Sequence, residues 1–400
     1  MKNKKLAIIG KGTAGSISLV YFLNLLRGGE EIDVYYNPNL PEQAVGEGTD
    51  LSFPNFLWKN LNMDLLDLYH DLDGTYKTGI RKINYKGTGD FFHQFSLGNN
   101  GVHFNASKFQ KIVYERFKNR VNFIPKDITH PSDIDANHII DCSGRPQDYK
   151  DFNQLDSIPV NSTHIVQCYW EKPRFDYTFT IARPYGWVFM IPLQNRVSVG
   201  YLYNNTFNNL EEIKEDINNI FREYNLVPSN KTNSFNFSNY YRKENFTDRV
   251  TYNGNASFFL EPLEATSIST ILEILKISTK VSTGFLTIEE ANLHYSNKLQ
   301  EHEQMIMMHY FAGSKFNTPF WQYAYEKSLP HIKKLTSSLK FKQIFKEGLY
   351  NINNPHQPKI LSTPDFSSWG SFSFLQNIPH LGLLEKIDNL IIKNQKDSLI

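Results

Sequence analysis

The sequence predicts an α/β fold built on a Rossmann-type dinucleotide-binding domain, with an inserted β-sheet and a C-terminal helical region. Three observations predict it. Residues 6–9, Leu-Ala-Ile-Ile, form a short apolar run of the kind that makes a buried parallel strand. Gly10-Lys11-Gly12-Thr13-Ala14-Gly15 follows at once as a complete G-x-G-x-x-G. A helical stretch over residues 16–26, stopped by Gly28-Gly29, then leads to a second strand-like run over residues 32–36.

This order of strand, glycine turn, helix and strand is the context that gives the motif its meaning. Gly10, Gly12 and Gly15 let the backbone approach a pyrophosphate. The N-terminus of the helix that follows supplies N–H groups and a positive dipole end that suit an anion. A glycine-rich turn without ligand is the competing reading. An acidic residue is expected where the second strand ends, to bind ribose hydroxyls. Tyr36 and Asn37 stand there instead, so Asn37 becomes the ribose candidate, with an amide that both donates and accepts.

Bulk composition narrows the class. The 400 residues are 40% hydrophobic and 21% charged, enough apolar mass for one large or two coupled domains. A net charge of +1 gives no basic excess for nucleic acid. Cys142 and Cys168 form neither a metal-type pair nor a disulfide scaffold, which points to a reduced, cytoplasmic setting and to no metal site. No apolar run reaches the roughly 18 residues a membrane span needs, and the N-terminus reads as a strand rather than a signal peptide.

Later segments distinguish the dinucleotide. Ile139-Ile140-Asp141-Cys142-Ser143-Gly144 reads as a second buried strand ending in a glycine turn. With Gly74-Thr75-Tyr76-Lys77-Thr78-Gly79-Ile80, Gly186-Trp187-Val188-Phe189-Met190-Ile191-Pro192, Pro262-Leu263-Glu264-Ala265-Thr266, His309-Tyr310 and Thr318-Pro319-Phe320-Trp321, the chain resembles the flavin-dependent tryptophan halogenases. The opening glycine motif is similar to the family's G-G-G-T-A-G, and Val45-Gly46-Glu47-Gly48-Thr49 to its V-G-E-A-T. The match runs collinearly from Leu6 to about Trp321, with Phe189 in place of the second tryptophan of G-W-x-W-x-I-P.

The resemblance implies a flavin monooxygenase/halogenase-like fold that binds FAD as FADH2, with halide as co-substrate. It places Gly10, Gly12, Thr13, Ala14, Gly15, Asn37, Glu47, Gly48, Asn255, Pro262 and Leu263 at the cofactor. Asn255 falls where many flavoproteins carry an aspartate on the ribityl chain, and Glu47 and Gly48 fall in a strap. It makes Lys77 the residue that handles hypohalous acid; an ammonium polarises a halogen–oxygen species, and a desolvated amine takes the halogen itself. Alone, such a lysine reads as a solvated surface residue. The resemblance gives Glu264 the role of a carboxylate beside the lysine and substrate that takes the ring proton; alone, it reads as a cap on a helix over residues 265–275. Thr266 and Ser267 would hold halide at that helix start, with Ala265 and Ser267 replacing the family's serine and glycine. His93 and Phe95 resemble an H-x-F that flanks the aromatic substrate, with Trp187 partly core and partly site wall.

The expected organisation is a discontinuous FAD-binding domain over residues 1–155 and 251–284, a substrate-side sheet over 156–250, and a helical region over 285–400. Partners implied are a separate flavin reductase and an aromatic small molecule; nucleic acid and membrane are not expected, and a homo-oligomer is left open. The tail offers no match to the segment that clamps free tryptophan, apart from a faint likeness at Phe366, Trp369 and Phe372, so indoles, phenols or other small arenes fit better. Two rivals remain: a flavin-dependent aromatic hydroxylase oxidising NADPH directly, and a non-catalytic flavin-binding protein.

Overall fold

Strand β1 (Lys5–Ile9), helix α1 (Thr13–Leu25) and strand β2 (Glu31–Tyr35) open the chain in the computed structural model, which describes residues 5–26, 31–40, 46–95, 100–354, 356, 366–367 and 369–397. Gly28, Gly29 and Val45 lie outside the described residues, as do the side chains of Glu47 and Phe372. Ala7 and Ile8 of β1 are fully buried because β1 has a parallel neighbour on each side. The sheet runs Val250–Tyr252, His138–Asp141, β1, β2, Asn122–Ile124, and all four pairings are parallel. An all-parallel sheet is covered on both faces, which is why its strands read as unbroken apolar runs.

The chain divides into two compact units, Met1–Thr75 with Gly101–Leu155 and Ser238–Leu299, and Tyr76–Asn100 with Asp156–Phe237 and Gln300–Ile400. The first unit holds the parallel sheet, a small antiparallel sheet (Phe152–Gln154, Tyr240–Arg242, Phe258–Phe259) and the helix Ser267–Ser282.

The second unit is organised by a seven-stranded sheet in the order Val227–Asn236, Ser162–Tyr169, Arg196–Tyr203, Gly186–Pro192, Thr178–Arg183, Gly79–Ile83, Asp90–Gln94. Neighbours are antiparallel except Thr178–Arg183 with Gly79–Ile83, which run parallel. Alternate residues Val197, Val199, Tyr201 and Tyr203 pack with Ile213, Ile217 and Ile220 of the helix Leu210–Glu223, as the two-residue period of a strand and the amphipathic face of a helix require. A buried Arg183–Asp216 pair joins that strand layer to the helix, with the Tyr201 hydroxyl donating to the same carboxylate at 2.9 Å. Helices Pro319–Ser337, Leu339–Asn353, Ser371–His380 and Leu384–Asp397 follow. Among the described residues, no helix is long and apolar enough to cross a membrane, and no group of His, Cys, Asp or Glu is arranged to hold a metal ion.

Candidate active site

In the first unit, the turn after β1 is closed by the backbone. Gly10 N–H donates to Tyr35 C=O at 2.7 Å, and Gly10 adopts φ +94°, open to glycine and strained for other residues. A Cβ on Gly10 would lie 2.3 Å from the Cys142 carbonyl oxygen, and one on Gly15 would lie 1.9 Å from the Gly10 carbonyl oxygen. Gly12 differs: a Cβ there meets nothing within 4 Å. Gly12 is also the N-cap of α1, makes no side-chain cap bond, and no acidic residue sits in the first turn. The first N–H groups of α1, at Thr13 and Ala14, thus border open space with no capping side chain drawn onto them. Thr13 Oγ1 accepts from Gln110 Nε2 at 3.2 Å.

Two other segments border the same helix start. Asp141 C=O accepts from Asn253 N–H at 2.7 Å, and Gly254, at φ +58°, sits so near α1 that a Cβ there would be 2.5 Å from Ala14 Cβ. This places Asn255 beside the loop, with its carbonyl fixed by the Tyr240 hydroxyl at 2.7 Å. The Asp141 carboxyl is pushed above the usual carboxylate range by burial, an effect moderated by hydrogen bonds from Ser143. Burial pushes the Cys142 thiol up to about 12, so it is an inert core group. At the end of β2, the Asn37 amide is engaged on both sides: Nδ2 donates to Asp127 at 3.0 Å, and Oδ1 accepts from Asn39 N–H at 2.9 Å. The Lys11 ammonium lies 4.2 Å from the Tyr36 ring centroid and 5.2 Å from that of Tyr114. Gly48 and the Glu47 backbone are in a strand, Gly46–Gly48, pairing with Phe104 and His103.

Pro262 and Leu263 lead into a tight turn in which Ala265 N–H donates to Pro262 C=O at 3.0 Å. Glu264 and Ala265 both take left-handed conformations, φ +67° and +55°, and Glu264 is buried. The helix anticipated from residue 265 therefore starts at Ser267 and runs to Ser282, because two left-handed residues interrupt it. Thr266 is its N-cap, makes no side-chain cap bond, and has no acid in the following turn.

In the second unit, Lys77 is buried with its ammonium 5.5 Å from the Phe95 ring centroid. The His93 ring meets Phe95 edge-on at 5.6 Å, and Phe95 N–H donates to Thr78 C=O at 2.9 Å. Lys77, His93 and Phe95 are thus brought together. Trp187 lies elsewhere on the sheet, buried on Gly186–Pro192 opposite Ala182 and Leu202. Its neighbour Phe189 fits because Gly200 has no side chain; a Cβ there would lie 2.2 Å from the Phe189 ring.

The motifs did not reveal a second buried lysine. Lys82 donates to His309 Nε2 at 2.7 Å and Asn377 Oδ1 at 2.6 Å, with Phe91 and Trp369 rings nearby. His309 Nδ1 bonds to Met305 C=O at 3.0 Å, which assigns the ring proton to Nδ1 and leaves Nε2 to accept from Lys82. Phe91 and His93 alternate along the strand Asp90–Gln94 and Phe95 follows it, so Phe91 and Phe95 are about 13 Å apart at strand rise, each with a lysine over its ring.

The tryptophan halogenase family model matches residues 5–129 and 98–351. The chain belongs to the tryptophan halogenase family. The tryptophan 7-halogenase of Lentzea aerocolonigenes is 20% identical over 422 residues, covering 80% of this chain and 78% of that protein. A flavin-dependent halogenase from Brevundimonas sp. BAL3 superposes with a TM-score of 0.75 at 18% identity, over 99% of this chain and 94% of that one. One from Xanthomonas campestris gives 0.74 at 17% identity, over 99% and 95%. These structural likenesses establish the fold; the family match makes the chain an enzyme of the flavin-dependent halogenase class.

The first unit fits the dinucleotide that this family implies. Gly12 leaves room beside an uncapped helix start, Gly10 and Gly15 cannot carry side chains, and Gly144, at φ +108°, also faces open space.

Proposed function

We propose that this member of the tryptophan halogenase family halogenates an electron-rich aromatic small molecule, using FADH2, dioxygen and halide, through hypohalous acid relayed by Lys77. The observation that carries the reading is a buried lysine ammonium against an aromatic ring, beside a buried histidine, in a chain whose glycine turn is shaped for a dinucleotide.

FAD would be held by the turn Gly10 to Gly15, by Asn255, and by the Pro262–Leu263 segment, with Asn37 at the adenosine end and Glu47 and Gly48 in the strap. Reduced FAD with dioxygen supplies the oxidising equivalents that convert halide to hypohalous acid. The N–H groups after Thr266, at Ser267, attract halide because a helix start carries partial positive charge. Lys77 donates a hydrogen bond to hypohalous acid and polarises it, or as free amine takes the halogen. Burial excludes water that would consume the oxidant. His93 and Phe95 hold the arene, while Trp187 belongs to the core of the sheet. Glu264 takes the proton that the ring releases. Within this reading, residues 1–155 and 251–284 serve the flavin, except that the stretch from Lys77 to Phe95 serves the arene together with 156–250, and 285–400 complete the helical region. A separate flavin reductase supplies FADH2.

Incubation of the chain with FAD, a flavin reductase, NADH, oxygen and chloride, bromide or iodide over an arene panel that includes free tryptophan tests it. Mass spectrometry should show halogen-for-hydrogen replacement on an indole or phenol. An oxygenated product with direct NADPH oxidation would establish the hydroxylase instead, and bound FAD without any product would leave a flavin carrier.

A further inference from the structure

We infer that Asp127 is the carboxylate that binds the adenosine ribose, standing in for the acid that β2 lacks. This rests on the reading that the first unit holds FAD. In a dinucleotide-binding fold, the ribose hydroxyls reach the end of the second strand, where an aspartate or glutamate accepts from them. Here β2 ends at Tyr35, followed by Tyr36 and Asn37, none of them acidic.

The neighbouring strand in the sheet supplies what is missing. Asn122–Ile124 pairs in parallel with β2, so both strands end on the same side of the sheet. Tyr36 N–H extends that pairing by donating to Ile124 C=O at 3.1 Å. Three residues beyond Ile124, Asp127 is held at the end of β2 by Asn37 Nδ2 at 3.0 Å. Asn37 is itself set by its bond from Asn39 N–H. Asn37 is thus a positioning residue, and the exposed Asp127 carboxylate keeps acceptor lone pairs for hydroxyl groups. Lys11, stacked on Tyr36, places a cation near the same strand end. An ammonium there favours a ribose phosphate, whereas a carboxylate favours a free hydroxyl, so the two make opposite demands on the ligand.

Competition against FAD, followed by flavin fluorescence, separates them. In the wild-type protein, ADP should displace FAD roughly tenfold better than 2′-deoxy-ADP, the value of one charge-assisted hydrogen bond. In Asp127→Ala the two should compete equally, while Asp127→Asn keeps part of the preference. Asn37→Ala should reduce the preference without abolishing FAD binding. Equal competition in the wild type, an undiminished preference in Asp127→Ala, or tighter binding of 2′-phospho-ADP than of ADP would each overturn the assignment of Asp127. Failure of the wild type to bind FAD at all would instead remove the flavin reading beneath it.

Discussion

Lys77 stands with its ammonium 5.5 Å from the centre of the Phe95 ring, and the backbone N–H of Phe95 is tied to the carbonyl of Thr78, the residue after that lysine. The ring face is the electron-rich side of an aromatic, so it steadies the buried cation. Lys77 and Phe95 flank the open end of a hairpin, whose ladder sets Gly79 opposite Gln94 and Ile80 opposite His93 and is continued by the Phe95–Thr78 bond.

Gly12 and Gly15 should respond differently to the same methyl group. Gly15→Ala forces a Cβ into the Gly10 carbonyl and should cost about 2 kcal/mol or more by denaturant unfolding. Gly12→Ala meets nothing in the protein and should cost no more than about 1 kcal/mol as an N-cap change. Yet it places a methyl group where a pyrophosphate would lie, so FAD affinity by fluorescence titration should fall roughly tenfold or more. If Gly12→Ala binds FAD as the wild type does, the open space belongs to something else.

His138 gives the first unit an acid sensitivity. Its ring bonds to Ser278 Oγ at 3.0 Å and packs edge-on to Phe22, and burial pushes its pKa down from 6.5 to about 4. The folded state prefers the neutral ring, so this stability is intact above pH 6.5. Below that, the unfolded chain takes up a proton that the folded chain refuses until about pH 4, and on the order of 2–3 kcal/mol is lost across the window. Urea unfolding at pH 7 and pH 4.5 should show a smaller acid loss in His138→Gln than in the wild type. An identical loss in both would place the sensitivity in other groups.

Glu264 and Ala265 carry adjacent left-handed backbones, a conformation that costs a residue with a side chain roughly 1–2 kcal/mol. Ala265→Gly should therefore leave stability unchanged or raise it by up to about 1 kcal/mol, the relief offset in part by glycine's greater unfolded freedom. Glu264→Gln keeps shape and fold but removes the carboxylate proposed as the base, so halogenation should drop about a hundredfold while FAD affinity holds. A variant that keeps its rate would show that Glu264 serves the turn alone.

The opening strand–turn–helix–strand order was legible because it depends on local pattern, an apolar run followed by glycines that only one backbone path accommodates. The ends of helices were less so. Helix α1 starts at Thr13 rather than Ser16, since the turn is finished at Gly12. The later helix starts at Ser267 rather than Ala265, since no sequence period encodes two left-handed residues in a row. The proximity of Lys77, His93 and Phe95 could not be read from spacing; it arises because Lys77 and Phe95 flank the hairpin that carries His93. Lys82 and Asp127 were not, because each takes its position from a partner far along the chain: His309 and Asn377 for Lys82, Asn37 for Asp127. The absent acid after β2 was the only hint that another segment had to fill that place.

The most direct test is Lys77→Ala, assayed for halogenated product by mass spectrometry alongside FAD affinity and unfolding midpoint on the same preparation. The account predicts a folded, FAD-binding protein whose halogenation falls roughly a thousandfold or below detection. Halogenation at the wild-type rate by that folded variant would contradict it.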